Sequence, residues 1–467
     1  MKLQLDRSTR LLGGGTILVG GQPTRLLRLT HDGGRFVDAW RAGAPVSDRP
    51  AAVRLAGRLV ALGLAHPVPT DQGPWTTDDV AVVIPARDRA DLLAACLGGV
   101  GPAREVIVID DGSRDAPAIA AVAHAGGARV VRHPSPRGPA AARNTGAAAS
   151  SAPLVAFLDS DTRPEPGWLG PLLGHFADPL LAAVAPRIAV PAGREAIAAY
   201  ESVRSPLDLG DTPGIVAPGR RVGFIPAAAL VIRRQALTGA HGFDDEMRFG
   251  EDVDLIWRLA GAGWTVRYEP ASRVEHPSRA RPIGWLAQRV AYGSSAGALA
   301  RRHPGRMRHV VVPTWALAPW LLTAAGRPRT ALLAAAASTA VVTARLPDVP
   351  GARRQMLALA AGAQLRIAQQ LLDAAWRAYP PVVLAAAMRS RRLRRVVAAA
   401  LTVSIAADWV ARRPRLDPGR FGALRVADDL AYATGVWLGC VRARTIGPLV
   451  PAVLRGQPGR GSRRRPA

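Results

Sequence analysis

The sequence predicts an α/β protein whose central sheet is buried and largely parallel, and two observations support this class. Four short, continuous apolar runs occupy residues 80–85, 105–110, 128–133 and 154–159, and stretches of helix length separate them. Apolar runs of this length without polar alternation are typical of strands that are covered on both faces. We therefore expect a sheet with helices on both faces within a domain of residues 79–308.

Residues 1–76 form a separate region in which strand-like and helix-like segments alternate. The stretch PAAVRLAGRLVAL has helical periodicity, with Val53 and Leu59 on the expected apolar face. Two helices flanked by strand pieces predict a small α+β, winged-helix-like unit. We expect this unit to recognise a peptide; DNA binding is disfavoured because its arginines are not clustered.

Residues 309–454 are rich in alanine, leucine and arginine and predict an α-helical region. Two runs, 309–326 and 330–344, contain no Asp, Glu, Lys or Arg, but they are short for membrane spans and rich in alanine. They predict either a shallow membrane hairpin or helices that pack on the preceding domain. The abundant arginines favour attachment to an anionic membrane surface. Residues 455–467 predict a disordered basic tail.

The charge and cysteine content restrict the class of protein further. The chain has 61 Lys and Arg against 35 Asp and Glu, a formal net charge of +26. This balance suits nucleic acid, anionic lipid or phosphorylated substrates, but no basic motif interleaved with aromatic residues is present, so we expect no nucleic-acid partner. The two cysteines form neither a disulfide framework nor a metal-site spacing, and the N-terminus lacks the apolar core of a signal peptide. These features predict a cytoplasmic protein, held at the inner face of the cell membrane if the C-terminal region attaches there.

The fourth apolar run ends in two acids, Asp159 and Asp161, with one serine between them. In an open parallel sheet, ligands bind beyond the carboxyl ends of the strands. Carboxylate oxygens are hard ligands, suited to Mg²⁺ or Mn²⁺ held together with substrate phosphates. For this motif taken alone, a solvated acidic turn is the simpler explanation.

Polar residues also follow the other predicted strand ends. The first run leads into Pro85, Arg87 and Asp88, and the second ends in Asp110 and Asp111. An acid at this edge can accept hydrogen bonds from a nucleotide base or a ribose. Strand-end turns and helix caps explain each residue singly, but acid-bearing strand ends in succession favour one shared site.

Segments that open helices add further candidates. Arg143 and Asn144 lie about one turn into a predicted helix, where Arg143 can pair with diphosphate or base oxygens. Glu251 and Asp252 begin an amphipathic helix, and a carboxylate at a helix N-terminus is stabilised in the ionised form that can remove a proton. His276 follows a short strand and could reach a metal or a diphosphate. Acidic caps and exposed side chains are the alternatives here.

Together these motifs resemble one known family. The order VIPARDR, VIDDGSRD, ARNTG, FLDSD, GFDDE and GEDVDLIWR, over residues 79–278, is similar to the inverting family-2 glycosyltransferases. The resemblance implies the GT-A fold, an α/β Rossmann-like mixed sheet. The whole chain also resembles the glycosyltransferases of the mycofactocin biosynthetic system in length and layout. The Q-x-x-R-W motif of processive polysaccharide synthases is absent, which argues against a chain-translocating synthase.

The resemblance implies a role for each residue of the motifs. Asp252 would be the catalytic base with Glu251 beside it, and Asp161 would be the principal metal ligand, near Asp159 and His276. The nucleotide-sugar site would be lined by Pro85, Arg87, Asp88, Asp110, Asp111, Arg143, Asn144 and Asp159. The family's usual asparagine and glutamate in the first loop are replaced by Arg87 and Asp88, which leaves the contacts of that loop open.

The implied reaction is transfer of a hexose, glucose from UDP-glucose, to an acceptor hydroxyl with inversion, assisted by Mg²⁺ or Mn²⁺. By resemblance, the acceptor is the peptide-derived mycofactocin precursor. The alternative is a polyprenyl phosphate or a cell-wall glycolipid, which the apolar C-terminal region favours.

Overall fold

The computed structural model describes residues 1–69, 73–278, 281–344 and 353–454. These residues fall into two compact units. The first contains Met1–Trp285 and Arg412–Arg420, and the second contains Leu286–Ala411 and the described residues from Phe421 onward. The predicted basic tail, 455–467, lies outside the described residues.

The strands and helices follow one another along both units. The strands are β1 (Lys2–Leu5), β2 (Arg10–Leu12), β3 (Ile17–Gly20), β4 (Arg25–Arg28), β5 (Ala65–Val68), β6 (Val80–Ala86), β7 (Glu105–Asp110), β8 (Arg129–Arg132), β9 (Leu154–Leu158), β10 (Arg163–Pro164), β11 (Leu181–Ala189), β12 (Gly214–Ile215), β13 (Ala229–Arg233), β14 (Thr265–Glu275), β15 (Val311–Pro313) and β16 (Ala452–Leu454). The helices are α1 (His31–Arg41), α2 (Pro50–Leu62), α3 (Ala90–Val100), α4 (Ala116–Ala125), α5 (Pro139–Ala148), α6 (Gly170–Leu173), α7 (Ala196–Arg204), α8 (Arg234–Gly239), α9 (Glu251–Gly261), α10 (Pro282–Arg302), α11 (Leu317–Ala324), α12 (Pro328–Ala344), α13 (Arg353–Arg377), α14 (Pro380–Arg389), α15 (Arg391–Arg412) and α16 (Pro418–Arg442).

The N-terminal part of the first unit is the predicted α+β structure. Strands β2, β3 and β4 form an antiparallel meander, and β1 pairs with β5. Helices α1 and α2 pack over a core that includes Leu18, Trp40 and Leu59. The expectation that Val53 faces this core is wrong, because its side chain is 51% exposed and α2 instead buries Ala52 beside Leu59. Small side chains allow α2 to lie close to the strands.

The central sheet has the order β10-β14-β11-β13-β9-β6-β7-β8, with β12 added to β14. Strands β6, β7, β8 and β9 run parallel, as the four apolar runs predicted, while β13 is antiparallel to β9 and β11. The mixed α/β sheet confirms the fold class. The chain leaves β6 for β7 on one side and returns to β9 on the other, so the strand order reverses between β6 and β9. This reversal opens a crevice at their carboxyl ends.

Helix α5 packs directly against this part of the sheet because of a glycine. A Cβ atom on Gly146 would lie 2.2 Å from a methyl group of Val83 on β6, which is closer than any side chain tolerates. The close approach brings the first turns of α5 to the crevice between β6 and β9. Arg143 and Asn144 are therefore carried to the edge of the sheet where the acids lie.

The second unit is mainly helical, as predicted, and two of its helices cross at glycines. A Cβ atom on Gly297 of α10 would lie 2.0 Å from the carbonyl oxygen of Gly439 on α16. A buried arginine forms ion pairs within the same unit: Arg425 is 2% exposed, and its guanidinium lies 3.0 Å from the half-exposed Asp373 and 3.4 Å from Asp408.

The uncharged run 309–326 does not form one long helix. It contains β15, a short 3₁₀ turn and the eight-residue helix α11. Over the part of the chain that the structure describes, no helix has both the length and the apolar character needed to cross a membrane.

Candidate active site

The loop after β7 holds its two acids firmly. The Asp111 carboxylate accepts hydrogen bonds from the backbone N–H groups of Arg137 and Gly138, each at 2.8 Å, and lies 2.8 Å from a ring nitrogen of His133. Burial alone would raise the pKa of Asp111, but these hydrogen bonds outweigh it and the pKa is lowered. Asp111 therefore stays ionised and fixes the loop that opens α5.

Asp110 and Asp88 join the two neighbouring loops after β7 and β6. Asp110 accepts a hydrogen bond from the Ser113 backbone N–H at 2.8 Å and pairs with Arg132. Asp88 accepts from the Arg114 backbone N–H at 2.9 Å, while its own N–H donates to the Ser113 hydroxyl at 2.8 Å. These bonds hold the two strand ends at fixed separation.

The other two candidates of the first loop differ in exposure. Pro85 lies within β6, opposite Ile109 of β7, and Arg87 extends into solvent from the loop that follows. Asp88 has a φ of 57°, in the left-handed region that only a few non-glycine residues adopt. The loop thus turns sharply after Arg87, whose side chain is exposed.

Arg143 connects the end of β9 with the start of α9. Its Nη2 donates to Asp159 at 2.7 Å and its Nη1 donates to Glu251 at 2.9 Å, and the residue is only 4% exposed. Its guanidinium also lies 5.4 Å from the centre of the Phe243 ring. Burial alone would lower the pKa of Arg143, but the two carboxylates raise it, so the cation is permanent.

Asn144 has a visible structural use. Its Nδ2 donates to the Phe243 carbonyl at 2.8 Å and to Asp245 at 2.7 Å, and its Oδ1 accepts from the Phe243 N–H at 2.9 Å. Both the nitrogen and the oxygen of the side-chain amide therefore have hydrogen-bond partners within the protein. These bonds fix the segment that leads into α9.

Glu251 and Asp252 occupy the first turn of α9, after Gly250, whose φ of 81° starts the helix. Burial, and then the neighbouring Asp252 charge, raise the pKa of Glu251 to about 7 against the opposing effect of Arg143. Burial likewise raises the pKa of Asp252, although it accepts hydrogen bonds from the N–H groups of Val253 at 2.8 Å and Ala227 at 3.3 Å. Burial therefore outweighs the helix N-terminus, and the pair contains carboxylates more basic than usual.

The structure brings Asp161 and His276 together. Asp161 lies just before β10 and His276 just after β14, and the register pairs Arg163 with Glu275, so the two side chains meet at the same sheet edge. Their closest atoms, Oδ1 and Nε2, are 3.4 Å apart, and both groups are partly accessible. Asp159 points to Arg143 instead. Within the described residues, no group of three or more His, Cys, Asp or Glu is arranged to hold a metal ion.

Sequence reasoning missed two groups of the site. The His133 ring links Asp111 to the Thr145 hydroxyl of α5, which lies 2.9 Å from its other nitrogen. His133 ends the third apolar run, and that position beyond a strand could have marked it. The Ala227 N–H that meets Asp252 is a backbone group and leaves no signal in the residue type.

Known proteins are similar to this chain over the region that contains these residues. Residues 81–237 match the model of "Glycosyl transferase family 2". The chain is 42% identical over 465 residues to the "Pre-mycofactocin glycosyltransferase" of Mycobacterium tuberculosis (strain ATCC 25618 / H37Rv), with 97% of each chain covered. The succinoglycan biosynthesis protein ExoU of Rhizobium meliloti (strain 1021) is 37% identical over 200 residues, which cover 40% of this chain and 58% of that protein.

Among solved structures, the mannosyltransferase PcManGT from Pyrobaculum calidifontis in complex with GDP-Man and Mn²⁺ gives a TM-score of 0.43 at 19% identity, covering 78% of this chain and 91% of that chain.

The fold, the motifs and the sequence matches define a glycosyltransferase and confirm the resemblance drawn from the motifs. Residues 81–237 form a family-2 glycosyltransferase domain, and the chain belongs to the family of the pre-mycofactocin glycosyltransferase, which it matches over 97% of its length.

Proposed function

We propose that the protein transfers a hexose, glucose from UDP-glucose, to a hydroxyl group of the peptide-derived pre-mycofactocin, with inversion at the anomeric carbon. The support for the acceptor is the 42% identity that extends over 97% of the pre-mycofactocin glycosyltransferase. The observation that carries the chemistry is the acid pair Glu251–Asp252, tied through Arg143 to Asp159 at the carboxyl edge of the sheet.

Asp252 is the proposed base. Burial raises the pKa of Asp252, so its ionised carboxylate is a stronger base than that of an exposed aspartate. Its hydrogen bonds come from two backbone N–H groups, which leaves lone pairs for an acceptor hydroxyl. The hydroxyl that gives its proton to Asp252 attacks the anomeric carbon from the side opposite the departing nucleotide diphosphate, which inverts the configuration.

Asp161 and His276 are the proposed protein ligands of a divalent metal. A carboxylate and an imidazole 3.4 Å apart, both partly accessible, fit an ion that takes its remaining ligands from a substrate diphosphate and water. When bound, Mg²⁺ or Mn²⁺ would neutralise charge on the leaving diphosphate. Arg143 occupies one oxygen of Asp159 at 2.7 Å, and the other oxygen is proposed to face the ribose and the water molecules of the metal.

The nucleotide is proposed to lie over the loops after β6 and β7. Pro85, Arg87, Asp88, Asp110 and Asp111 surround this position along the two strand ends. Arg143 and Asn144 are more simply positioning residues, because the two terminal nitrogens of Arg143 donate to Glu251 and Asp159 and the amide of Asn144 is engaged by the 243–245 segment.

In the deciding experiment, the purified protein is incubated with pre-mycofactocin and each of several labelled sugar nucleotides. Each reaction is run with and without Mn²⁺. We expect glucose transfer from UDP-glucose, dependence on the metal, and a β-linked product from the α-linked donor. Transfer from a guanosine or thymidine donor alone would overturn the donor assignment, and retention of configuration would overturn the proposed role of Asp252.

A lipid-linked acceptor is the second candidate. It is favoured by a relative, the N-acetylglucosaminyl-diphospho-decaprenol L-rhamnosyltransferase of M. tuberculosis, which is 32% identical over 166 residues that cover 33% of this chain and 52% of that protein. In the same panel of reactions, a polyprenyl phosphate is offered together with pre-mycofactocin. Labelled sugar in the organic phase would support this acceptor, and label only on the peptide-derived product would exclude it.

We also propose that helices α14 and α15 rest on the anionic inner surface of the cell membrane. Residues 374–407 contain no Asp or Glu, and five arginines fall between Arg389 and Arg395. On α15, Val396, Val403 and Val410 repeat every seven residues and are 46%, 63% and 63% exposed. In a vesicle flotation assay, the protein should rise with vesicles that contain phosphatidylglycerol and should not rise with vesicles of pure phosphatidylcholine. Equal behaviour with both vesicles would contradict an electrostatic attachment.

The N-terminal residues 1–76 remain a proposed peptide-recognition module. The antiparallel meander β2–β3–β4 supports this role, because its outer strands β2 and β4 have no further strand partner in the described residues.

A further inference from the structure

The N-terminal part of the first unit is attached to one segment of the catalytic domain, residues 211–221. The Arg221 backbone N–H donates to the side-chain oxygen of Gln22, in the loop between β3 and β4. The Arg221 guanidinium lies 3.9 Å from the buried carboxylate of Asp6. Arg221 also donates to the Thr212 carbonyl at 3.1 Å. The same residue therefore connects the two ends of the segment 211–221 and joins the segment to the N-terminal unit.

Two more contacts strengthen this attachment. The Arg220 Nη2 donates at 2.9 Å to the carbonyl oxygen of Ala61, in the last turn of α2. Arg7 and Asp211 form an exposed ion pair at 2.8 Å. An exposed pair of this kind contributes little, so Arg220 and Arg221 are the residues that hold the segment.

The same segment continues directly into the active site. Val222 and Ile225 are buried, and the Gly223 carbonyl accepts a hydrogen bond from the Trp257 indole of α9 at 2.8 Å. Four residues later, the Ala227 N–H donates to the Asp252 carboxylate at 3.3 Å. Only five residues separate Arg221 from Ala227.

The next residue reaches the other side of the site. The Ala228 carbonyl accepts from the Asp159 backbone N–H at 3.0 Å, and β13 begins at Ala229, opposite Leu158. Residues 222–228 therefore pass between the base and the D-x-D motif. A shift of this stretch moves the hydrogen-bond donor of Asp252 with it.

We infer that the N-terminal unit is a positioning module for the acceptor side of the active site, acting through Arg220 and Arg221 on residues 222–228 and thereby on Asp252. This inference rests on the proposed function, since it takes Asp252 as the base. The nucleotide side, built on the loops after β6 and β7, has no hydrogen bond to Arg220 or Arg221 among the described residues. Loosening the attachment should therefore impair use of the acceptor and spare binding of the nucleotide.

The test uses the full chain and the double variant Arg220→Ala/Arg221→Ala. Hydrogen–deuterium exchange should be faster than wild type in peptides that cover 222–228, and unchanged in peptides that cover 105–115. Arg58→Ala is the matched control, because Arg58 is an exposed arginine of α2 in the same unit and its loss should change neither region. Arg220→Lys/Arg221→Lys keeps both side-chain charges, which the alanine variant loses, and should recover part of the protection.

Kinetics then separate positioning from loss of structure. The apparent KM for pre-mycofactocin should rise about two- to tenfold, the factor that corresponds to one or two ordinary hydrogen bonds, while the dissociation constant of UDP stays within about twofold of wild type. Unchanged exchange at 222–228, or an unchanged KM, would overturn the inference. Faster exchange throughout the first unit with an equal loss of UDP affinity would also overturn it, because the two arginines would then be merely structural. If the wild-type protein does not use pre-mycofactocin, the proposed function fails, while the exchange measurement still decides the positioning role.

Discussion

Removing the Arg143 guanidinium tests how the site holds its acids together. Arg143→Met keeps much of the side-chain volume but leaves Asp159 and Glu251 without their shared cation. Breaking a buried ion pair by deleting one partner costs about 3–5 kcal/mol, because an uncompensated charge remains. The Asp159 side chain is 31% exposed and can be solvated, whereas that of Glu251 is 10% exposed, so most of the cost should come from Glu251.

This cost should depend on pH in a defined direction. The pKa of Glu251 is raised to about 7, so the wild-type carboxyl is protonated at pH 5 and largely ionised at pH 8. A raised pKa in the folded state means that stability is present at low pH and is lost as the pH rises through the folded value. Without Arg143 the pKa of Glu251 rises further, so the additional loss should appear above pH 7. We expect Arg143→Met to be more destabilising at pH 8 than at pH 5, by up to about 1.4 kcal/mol, because each pH unit above the wild-type pKa of about 7 contributes at most that amount.

Urea unfolding, followed by tryptophan fluorescence at both pH values, measures the change in the free energy of unfolding. The control is Arg129→Met, because Arg129 makes a half-exposed pair with Glu105 at 3.3 Å, and its loss should cost less than about 1 kcal/mol. A cost below about 1 kcal/mol for Arg143→Met at pH 8, or a cost that is equal at both pH values, would refute the reasoning about Glu251.

Four further outcomes are expected. Asp161→Ala should abolish transfer and remove the thermal protection that Mn²⁺ gives in the presence of UDP, whereas equal protection of variant and wild type would place the metal elsewhere. Asp252→Asn should keep its affinity for UDP and lose about 10²- to 10⁴-fold in turnover, and near-normal turnover would shift the role of base to Glu251. Wild-type kcat should decline as the pH falls below about 7, because the Glu251–Asp252 pair then takes up a proton; a flat profile down to pH 5 would contradict this. Gly297→Ala should destabilise the second unit, because the new Cβ would lie 2.0 Å from a carbonyl oxygen of α16, while Gly284→Ala on the same helix, which meets no atom within 4 Å, should not.

The strands of the central sheet were predictable because burial on both faces demands continuous apolar runs. Strands β6, β7, β8 and β9 begin and end within one residue of the runs that predicted them. Helix α2 was placed correctly but its face was not. Apolar residues, mostly alanine and leucine, occur on every side of α2. The hydrophobic pattern alone therefore does not show that Ala52 is buried while Val53 is 51% exposed.

The convergence of the acids was also predictable, since the carboxyl ends of neighbouring parallel strands meet at one edge. Their partners were not. Arg143 and Glu251 are 108 residues apart, and nothing local to either residue indicates the contact. The roles suggested for Arg143 and Asn144 assumed free side chains, whereas tertiary packing engages both.

The spacing of Asp159 and Asp161 has a physical explanation in the structure. Two carboxylates one residue apart repel each other, and the chain separates them by a tight turn in which the Thr162 N–H and hydroxyl donate to the Asp159 carbonyl at 3.0 and 2.8 Å. Asp159 then faces the permanent cation of Arg143 at 2.7 Å, and Asp161 faces the His276 imidazole at 3.4 Å. Asp159 is tied through Arg143 to Glu251 and so to the proposed base beside it, whereas Asp161 lies next to His276, its proposed partner in binding the metal. A single turn thus connects the side of the site that is proposed to receive the proton with the side that is proposed to hold the leaving diphosphate, so a substitution of either acid should alter both sides.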